Sequence, residues 1–155
     1  MKFLRAIIPI LLLPVSVYAV SMAGSIQIYA PLVITVNANM TLPSVYTDTT
    51  GTVTSEDTSS IPGGTDGVNA AIGITGEVSK QYSLVFNAST TITNGTDNLT
   101  VNLSMGTGGG NKTGRTLSGG GTDSTTIKGS VTLSGTRSRG AYSGSFAVTA
   151  SYDAV

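Results

Sequence analysis

The sequence predicts an all-β fold, an immunoglobulin-like antiparallel β-sandwich of about seven to eight strands. Three observations lead to this prediction. Short segments alternate apolar and polar residues with a period of two, and Gly, Asn, Asp and Pro separate them. No segment beyond residue 19 has helical periodicity, and Val, Ile and Thr, which favour pleated strands, are abundant. A small β-barrel is the alternative that the same pattern permits.

The alternating segments define the predicted strands in chain order. They are Ser25–Ala30, Leu32–Val36, Met40–Tyr46, Val68–Thr75, Gln81–Asn87, Asn98–Ser104, Thr125–Ser134 and Tyr142–Tyr152. Pro31 separates the first two, as expected at a sheet edge or a strand switch. The polar stretch Thr47–Gly67 is predicted to be a long loop with a short strand around Val53. The glycine-rich stretch Gly106–Gly121 is predicted to be a mobile loop.

The last predicted strand has the clearest pattern. Its even-numbered residues form one face, namely Tyr142, Gly144, Phe146, Val148, Ala150 and Tyr152. The odd-numbered residues between them are Ser, Thr and Ala. Two-fold alternation over this length is typical of a strand with one buried face and one solvated face.

The N-terminus has the order of a secretory signal peptide. Lys2 and Arg5 precede an apolar run over residues 6–17, and Val17 and Ala19 are small residues before a cleavage point. The run is too short to span a bilayer as a helix, and Pro9 and Pro14 interrupt it. We therefore expect residues 1–19 to be removed and the protein to be exported. Cleavage after Ala23 and an uncleaved N-terminal anchor are the alternatives.

Residues 20–155 are expected to form a single domain. Loss of Lys2 and Arg5 leaves six basic and eight acidic residues, a net charge near −2. This charge gives no reason to expect nucleic acid or an anionic membrane as a partner, and no membrane span follows the signal peptide. Cysteine is absent, so the predicted fold uses no disulfide although export would permit one.

The composition argues against an enzyme. Without His or Cys, neither a Ser-His-Asp triad, nor a Cys-His pair, nor a His or Cys zinc site can form. The GTGGGNKT sequence at Gly106–Thr113 differs from a phosphate-binding loop because Asn111 precedes Lys112 where Gly is required. Aspartates in predicted turns lack the spacing of a calcium loop, and whether any loop binds calcium stays open. No catalytic residue, cofactor or metal is predicted.

The C-terminal segment Ile127–Tyr152, IKGSVTLSGTRSRGAYSGSFAVTASY, carries a family resemblance. It resembles the ending G-x-Y-x-G-x-F-x-V-T-x-x-Y of a bacterial family of secreted β-sandwich proteins known only as a domain of unknown function. Ser25–Leu42 resembles the opening of that family, except that Leu42-Pro43-Ser44-Val45 replaces the usual Leu-x-Phe-Gly turn.

The same ending is similar to that of chaperone–usher pilins, including the cysteine-free type. Gly140 and Tyr152 have the twelve-residue separation of the Gly and near-terminal aromatic residue in pilins. The resemblance implies a sandwich that lacks one strand, which the N-terminal extension of a neighbour supplies. It also implies as partners other copies of the chain or related subunits, and a periplasmic chaperone. The residues implied in assembly are Ile26, Ile28, Leu32, Ile34, Val36, Gly140, Tyr142, Phe146 and Tyr152.

Two interpretations of Ser25–Val36 follow. The segment is uncharged and alternating, so it suits either a donor strand for a neighbour or the first strand of its own complete sandwich. In the second interpretation Tyr142 is a corner tyrosine that ties down a loop. We accordingly expect a non-catalytic structural subunit of a bacterial surface fibre. The alternative is a monomeric periplasmic or surface binding module of immunoglobulin-like fold.

Overall fold

The computed structural model describes residues 26–106, 108–109 and 112–154. The predicted signal peptide, residues 1–19, and its alternative cleavage point lie outside these residues. The described chain contains no helix, and therefore no helix long and apolar enough to cross a membrane. Its strands are β1 (Val33–Ala38), β2 (Gly51–Thr54), β3 (Ala70–Thr75), β4 (Gln81–Phe86), β5 (Ser89–Thr93), β6 (Asn98–Met105), β7 (Gly108–Gly109), β8 (Lys112–Thr116), β9 (Thr122–Leu133) and β10 (Val148–Tyr152).

The strands form two antiparallel sheets. The larger sheet has seven strands with the order β1-β3-β9-β6-β5, and in addition β2 pairs with β9 and β7 with β6. The smaller sheet has three strands with the order β10-β4-β8. The long strand β9 organises the larger sheet, because its first half pairs with β3 and its second half with β2, while β6 lies on its other side.

The hydrophobic core lies between the two sheets. The larger sheet contributes alternate residues of β3, β6 and β9, including Ile74, Val101 and Ile127, all fully buried. The smaller sheet contributes Tyr82 and Leu84 from β4, also fully buried. In β3, β4, β6 and β9 the buried side chains alternate along the strand, as the period of a pleated strand requires. The predicted all-β antiparallel sandwich is confirmed.

The strand predictions with strong alternation were correct. The segments predicted at Val68–Thr75, Gln81–Asn87, Asn98–Ser104 and Thr125–Ser134 correspond to β3, β4, β6 and β9, with shifted ends. The short strand expected around Val53 is β2. The strand count exceeds the expected seven to eight, because β5, β7 and β8 were not predicted.

The prediction of one long C-terminal strand was wrong in its extent. Only Val148–Tyr152 forms a strand, although the predicted faces are right within it, with Val148, Ala150 and Tyr152 turned inward. The preceding residues lie beside the larger sheet, since Ser143 forms a bridge with Thr93 of β5. The chain therefore changes sheets before Val148, and Phe146 lies at this crossing and not in the middle of a strand.

Three other segments differ from expectation. Residues 26–32 form no strand, and neither does Met40–Tyr46, where only an isolated bridge joins Thr41 to Val68. The stretch Gly106–Gly121 was predicted to be a loop throughout but contains β8, which pairs with β4 and is followed by the fully buried Leu117. Burial of that single leucine anchors a stretch whose composition otherwise favours turns.

A polar cluster of Tyr82, Arg115 and Asp123 links the two sheets. The Tyr82 hydroxyl donates to Asp123 Oδ2 at 2.6 Å, and Arg115 Nη2 lies 2.7 Å from the same oxygen. Tyr82 and Arg115 belong to the smaller sheet, whereas Asp123 belongs to β9. Burial, and then the hydrogen bond to Asp123, raise the pKa of Tyr82 to about 12. Burial alone would raise the pKa of Asp123, but hydrogen bonds from Tyr82 and Arg115 lower it below its ordinary value.

The raised pKa of Tyr82 predicts a loss of stability in alkali. An unfolded tyrosine ionises near pH 10, whereas the folded one stays neutral until about pH 12, so its stabilising contribution is complete below pH 10. Between pH 10 and 12 the free energy of unfolding of the wild type should fall relative to that of Tyr82→Phe, by on the order of 2 kcal/mol. Urea unfolding of both proteins at several pH values measures this difference. Parallel pH profiles would show that the hydroxyl is not held in its neutral form.

Candidate functional site

A groove of about 980 Å³ opens between the two sheets. The inner face of the larger sheet lines it with Ile72, Leu99 and Leu133, and the smaller sheet contributes Val148. Eight hydrophobic side chains that pack only partly buried against the core lie in this lining. They are Ile34, Met40, Leu42, Val45, Ile92, Leu99, Phe146 and Val148. The groove is therefore a part of the hydrophobic core that is open to solvent.

The unequal sizes of the sheets explain why the groove exists. Three strands of the smaller sheet face seven of the larger, so part of the larger sheet's apolar face has no strand opposite it. Within the described chain, β1 pairs only with β3 and β10 only with β4. Each of these strands therefore has one edge without a strand partner. Residues of both strands line the groove, and an unpaired edge is the part of a sheet that accepts another strand.

The segment 137–146 forms one rim of the groove and is held down by the β5–β6 turn. Asp97 in that turn accepts the backbone N–H of Ser138 at 2.7 Å, and this bond holds the pKa of Asp97 below its ordinary value. The Tyr142 hydroxyl lies 3.0 Å from the Ser138 carbonyl oxygen and 3.3 Å from Asp97 Oδ2. Burial, and then the negative charge of Asp97, raise the pKa of Tyr142. Tyr142 thus ties down its own loop, as a corner tyrosine would.

Gly140 makes the turn in this rim possible. Its φ of +135° lies in a region that residues with a Cβ rarely adopt. The side chain of Asn94 donates to the Arg139 carbonyl oxygen at 3.3 Å, just before this turn. Gly140 and Tyr152, whose twelve-residue separation supports the pilin resemblance, lie in different structural contexts: Gly140 lies in the rim turn and Tyr152 at the end of β10.

Tyr152 anchors residues 29 and 30, near the first of the described residues. Its hydroxyl accepts the backbone N–H of Glu77 at 2.6 Å and donates to the Ala30 carbonyl oxygen at 2.9 Å. Its ring lies against that of Tyr29, with centroids 6.0 Å apart. Glu77 completes the anchor by accepting the Ala30 N–H at 3.1 Å. Residues 29 and 30 are consequently fixed next to the end of β10.

The other predicted assembly residues fall into two groups on either side of this anchor. Ile26 and Ile28 precede it and are each 84% exposed. Leu32 and Ile34 follow it and pack against the chain's own core, with Ile34 in β1. Val36, also in β1, lines the groove and is 64% exposed. Phe146 lies in the groove at the sheet crossing.

The carboxylates in the predicted turns have structural partners. Asp57 accepts the Thr54 N–H, Asp66 accepts the Ser59 N–H, and Asp123 pairs with Arg115. Among residues 26–106 and 112–154, no group of three or more Asp and Glu side chains is placed to hold a metal ion.

Sequence reasoning missed two parts of the groove. Met40–Val45 contributes lining as an irregular segment, whereas it was predicted as an extended piece with no role. Arg137 also lines the groove, although the sequence analysis gave it no role. A residue of the larger sheet is half-buried in the groove when no strand of the smaller sheet lies opposite it. The local sequence contains no signal for the extent of the opposite sheet, so these residues could not be predicted.

The comparisons with known proteins give one match. A family model described as "Domain of unknown function (DUF4402)" matches residues 21–152. No curated protein and no solved structure matches the chain.

The hydrogen bonds of the Tyr142 hydroxyl at the rim predict a measurable effect on stability. Tyr142→Phe should lower the melting temperature by a few degrees, because the Ser138 carbonyl and Asp97 lose a hydrogen-bond donor. Tyr46→Phe is the matched control, since Tyr46 also lines the groove, is half exposed, and donates no hydrogen bond from its hydroxyl to any of the described residues. Calorimetry compares the two variants. An equal melting temperature for both would contradict the claim that the Tyr142 hydroxyl holds down the rim.

Proposed function

Since this chain belongs to the DUF4402 family of unknown function, we propose from its own geometry that it is a non-catalytic structural subunit of a bacterial surface fibre. In this proposal the N-terminal segment of one subunit occupies the groove of the next. The expected signal peptide would carry the subunit to the cell surface. The absence of His and Cys from the sequence supports a non-catalytic role, as does the engagement of the turn carboxylates in structural bonds.

The open groove is the observation that carries the proposal. It exposes apolar side chains between two strand edges that have no strand partner in the described chain. An added strand would bury those side chains and also pair with an edge, so both main-chain and side-chain interactions would favour binding. Burial of one large aliphatic side chain is worth about 1.5–3 kcal/mol.

The N-terminal segment has the properties required of the occupant. Residues 20–28, VSMAGSIQI, carry no charged side chain and alternate, so that an extended conformation would place Val20, Met22, Gly24, Ile26 and Ile28 on one side. Nine extended residues span about 30 Å, enough to run the length of a small sandwich. Ile26 and Ile28 are exposed, so their burial in a groove would gain free energy that the single subunit does not gain.

The anchor at Tyr152 favours the groove of a neighbour over the chain's own groove. Tyr29 and Ala30 are fixed beside Tyr152 and Glu77, and the chain then enters β1, which pairs with β3 of the same sheet. Ile26 and Ile28 lie before this fixed point and have few contacts with their own domain. The donor role expected of residues 25–36 is therefore narrowed here to residues 20–28. A contact of this head-to-tail kind does not close on itself, so it generates a filament.

Charges on the donor face should abolish assembly without harming the subunit. In the double variant Ile26→Asp/Ile28→Asp, polymers should disappear because it is unfavourable to bury two carboxylates against the apolar side chains of the groove. The melting temperature of the single subunit should change little, because both side chains are exposed. Gln27→Asp is the matched control, an exposed neighbour on the other side of the segment, and it should still polymerise.

Electron microscopy and light scattering of concentrated protein provide the readout. A wild-type protein that stays monomeric at high concentration and does not bind a peptide of residues 20–30 would overturn the fibre proposal. That outcome would leave the monomeric binding module. Equal polymerisation of the double variant and of Gln27→Asp would exclude residues 20–28 as the occupant.

A further inference from the structure

Ala30 lies outside any strand, yet both of its main-chain groups are bonded to side chains from distant parts of the chain. Its N–H donates to Glu77 Oε2 at 3.1 Å, and its carbonyl oxygen accepts the Tyr152 hydroxyl at 2.9 Å. The residue before it is held as well, since Lys80 Nζ lies 3.3 Å from the Tyr29 hydroxyl and 4.6 Å from the centre of its ring. The chain is therefore fixed at residues 29 and 30, before it enters β1.

The domain is packed around this anchor at Gly76, the residue before Glu77. A Cβ atom at Gly76 would overlap the Tyr152 hydroxyl oxygen and would lie 2.9 Å from Leu32 Cδ1. The fully buried Leu117 approaches the same point from the core. Because Gly76 has no side chain, the Tyr152 hydroxyl comes close enough to accept the Glu77 N–H at 2.6 Å. The anchor is thus part of the packing of the domain and not a surface contact alone.

The groove nearest to residues 20–28 is that of their own chain. Only four residues, 29–32, separate Ile28 from the first residue of β1, and a loop of four residues is long enough for a β-hairpin. Such a hairpin would place residues 20–28 along the free edge of β1, whose residues Ile34 and Val36 line the groove. A strand of the same chain acts at an effective concentration on the order of millimolar, so in more dilute protein it would outcompete the strand of a neighbour.

The structure shows the opposite arrangement. The two isoleucines of the segment are each 84% exposed, and the first of the described residues that lines the groove is Ile34. A hairpin turn before β1 needs main-chain hydrogen bonds of its own, but both groups of Ala30 are engaged by the anchor. Pro31 is a second obstacle, because its ring fixes φ, removes one N–H and favours an extended conformation of Ala30. Both features disfavour a reversal of the chain at this point.

We propose that the chain has a second, self-closed state, in which residues 20–28 pair with β1 and fill their own groove, and that the anchor at Ala30 together with Pro31 prevents it. This inference rests on the proposed function and adds a device that directs the strand to a neighbour. Both states bury apolar side chains of the same segment and the same groove, so the conformation of residues 29–32 decides between a fibre and a monomer. Tyr152, Glu77 and Pro31 are positioning residues, because they act on the strand through Ala30.

Release of the anchor should convert a fibre-forming subunit into a closed monomer. The variant Tyr152→Phe/Pro31→Gly keeps a ring at position 152 but frees the Ala30 carbonyl oxygen and removes the restriction by proline. It should stay monomeric at concentrations at which the wild type polymerises. A fluorescent peptide of residues 20–30, titrated by anisotropy against dilute protein, should bind it about tenfold or more weakly than it binds the wild type, because the peptide must displace an intramolecular strand.

Tyr46→Phe/Pro62→Gly is the matched control for this comparison. It makes the same two changes of residue type at exposed positions away from Ala30, so it should polymerise and bind the peptide as the wild type does. Glu77→Ala/Pro31→Gly is a second release variant, which removes the acceptor of the Ala30 N–H and keeps the Tyr152 hydroxyl. It provides the same test if loss of that hydroxyl unfolds the domain.

Melting temperatures of dilute single subunits report the closed state. With the anchor intact, Ile26→Asp/Ile28→Asp should change the melting temperature little, because both side chains are exposed. In a release variant, the same two aspartates should lower the melting temperature by several degrees, because they keep the strand out of the groove that it would otherwise fill. Each comparison is made within one background, so the cost of the release substitutions themselves cancels.

The outcomes separate this inference from the proposed function. If a folded release variant polymerises like the wild type, or is monomeric but binds the peptide with unchanged affinity, the self-closed state is overturned and the fibre proposal stands. Equal effects of the two aspartates with and without the anchor would overturn it too. If the wild type neither polymerises nor binds the peptide, the fibre proposal fails and this inference fails with it.

Discussion

The mismatch between the two sheets is the constraint on which the rest of this structure depends. A β-sheet with one apolar face is stable in water only if another layer covers that face. Here the larger sheet extends beyond the three strands that face it, so apolar side chains such as Leu99 and Ile92 remain only partly buried. A contiguous exposed apolar surface of this kind often marks a site of interaction with a partner. The groove thus results from the unequal numbers of strands in the two sheets, not from any single residue.

Several devices keep the uncovered sandwich intact. The cluster of Tyr82, Arg115 and Asp123 ties the sheets together away from the groove, with side chains from β4, β8 and β9. At the groove itself, Asp97 and Tyr142 hold down the rim that follows β9, and this rim provides the partial cover that the single subunit has. These side-chain hydrogen bonds supply part of the stabilisation that a strand opposite the larger sheet would supply by burying its apolar side chains.

Much of the fold could be predicted from the sequence, because the alternation of apolar and polar residues in a segment indicates a strand with one buried face. It located β3, β4, β6 and β9, where one face is deeply buried and the contrast with the other face is strong. It did not locate β8, because the fully buried residue that holds this segment, Leu117, follows the strand. It also did not locate the crossing between sheets before Val148, because the alternation of the sequence continues there although the partner strand changes. It implied Ile34 and Phe146 in assembly, and both line the groove, but it placed Ile34 in the possible donor segment and could not divide residues 25–36 at Tyr29. That division depends on Tyr152, more than a hundred residues away along the chain.

The central claim is that a strand from a neighbouring subunit pairs with an edge that is free in the single subunit. Amide hydrogen exchange, compared between dilute single subunits and assembled material, tests this directly because exchange slows when an N–H gains a hydrogen-bond partner. The account predicts slower exchange on assembly in residues 20–28 and along β1 or β10, with the centre of β9 unchanged. Equal exchange rates at both edges and in residues 20–28 before and after assembly would contradict it.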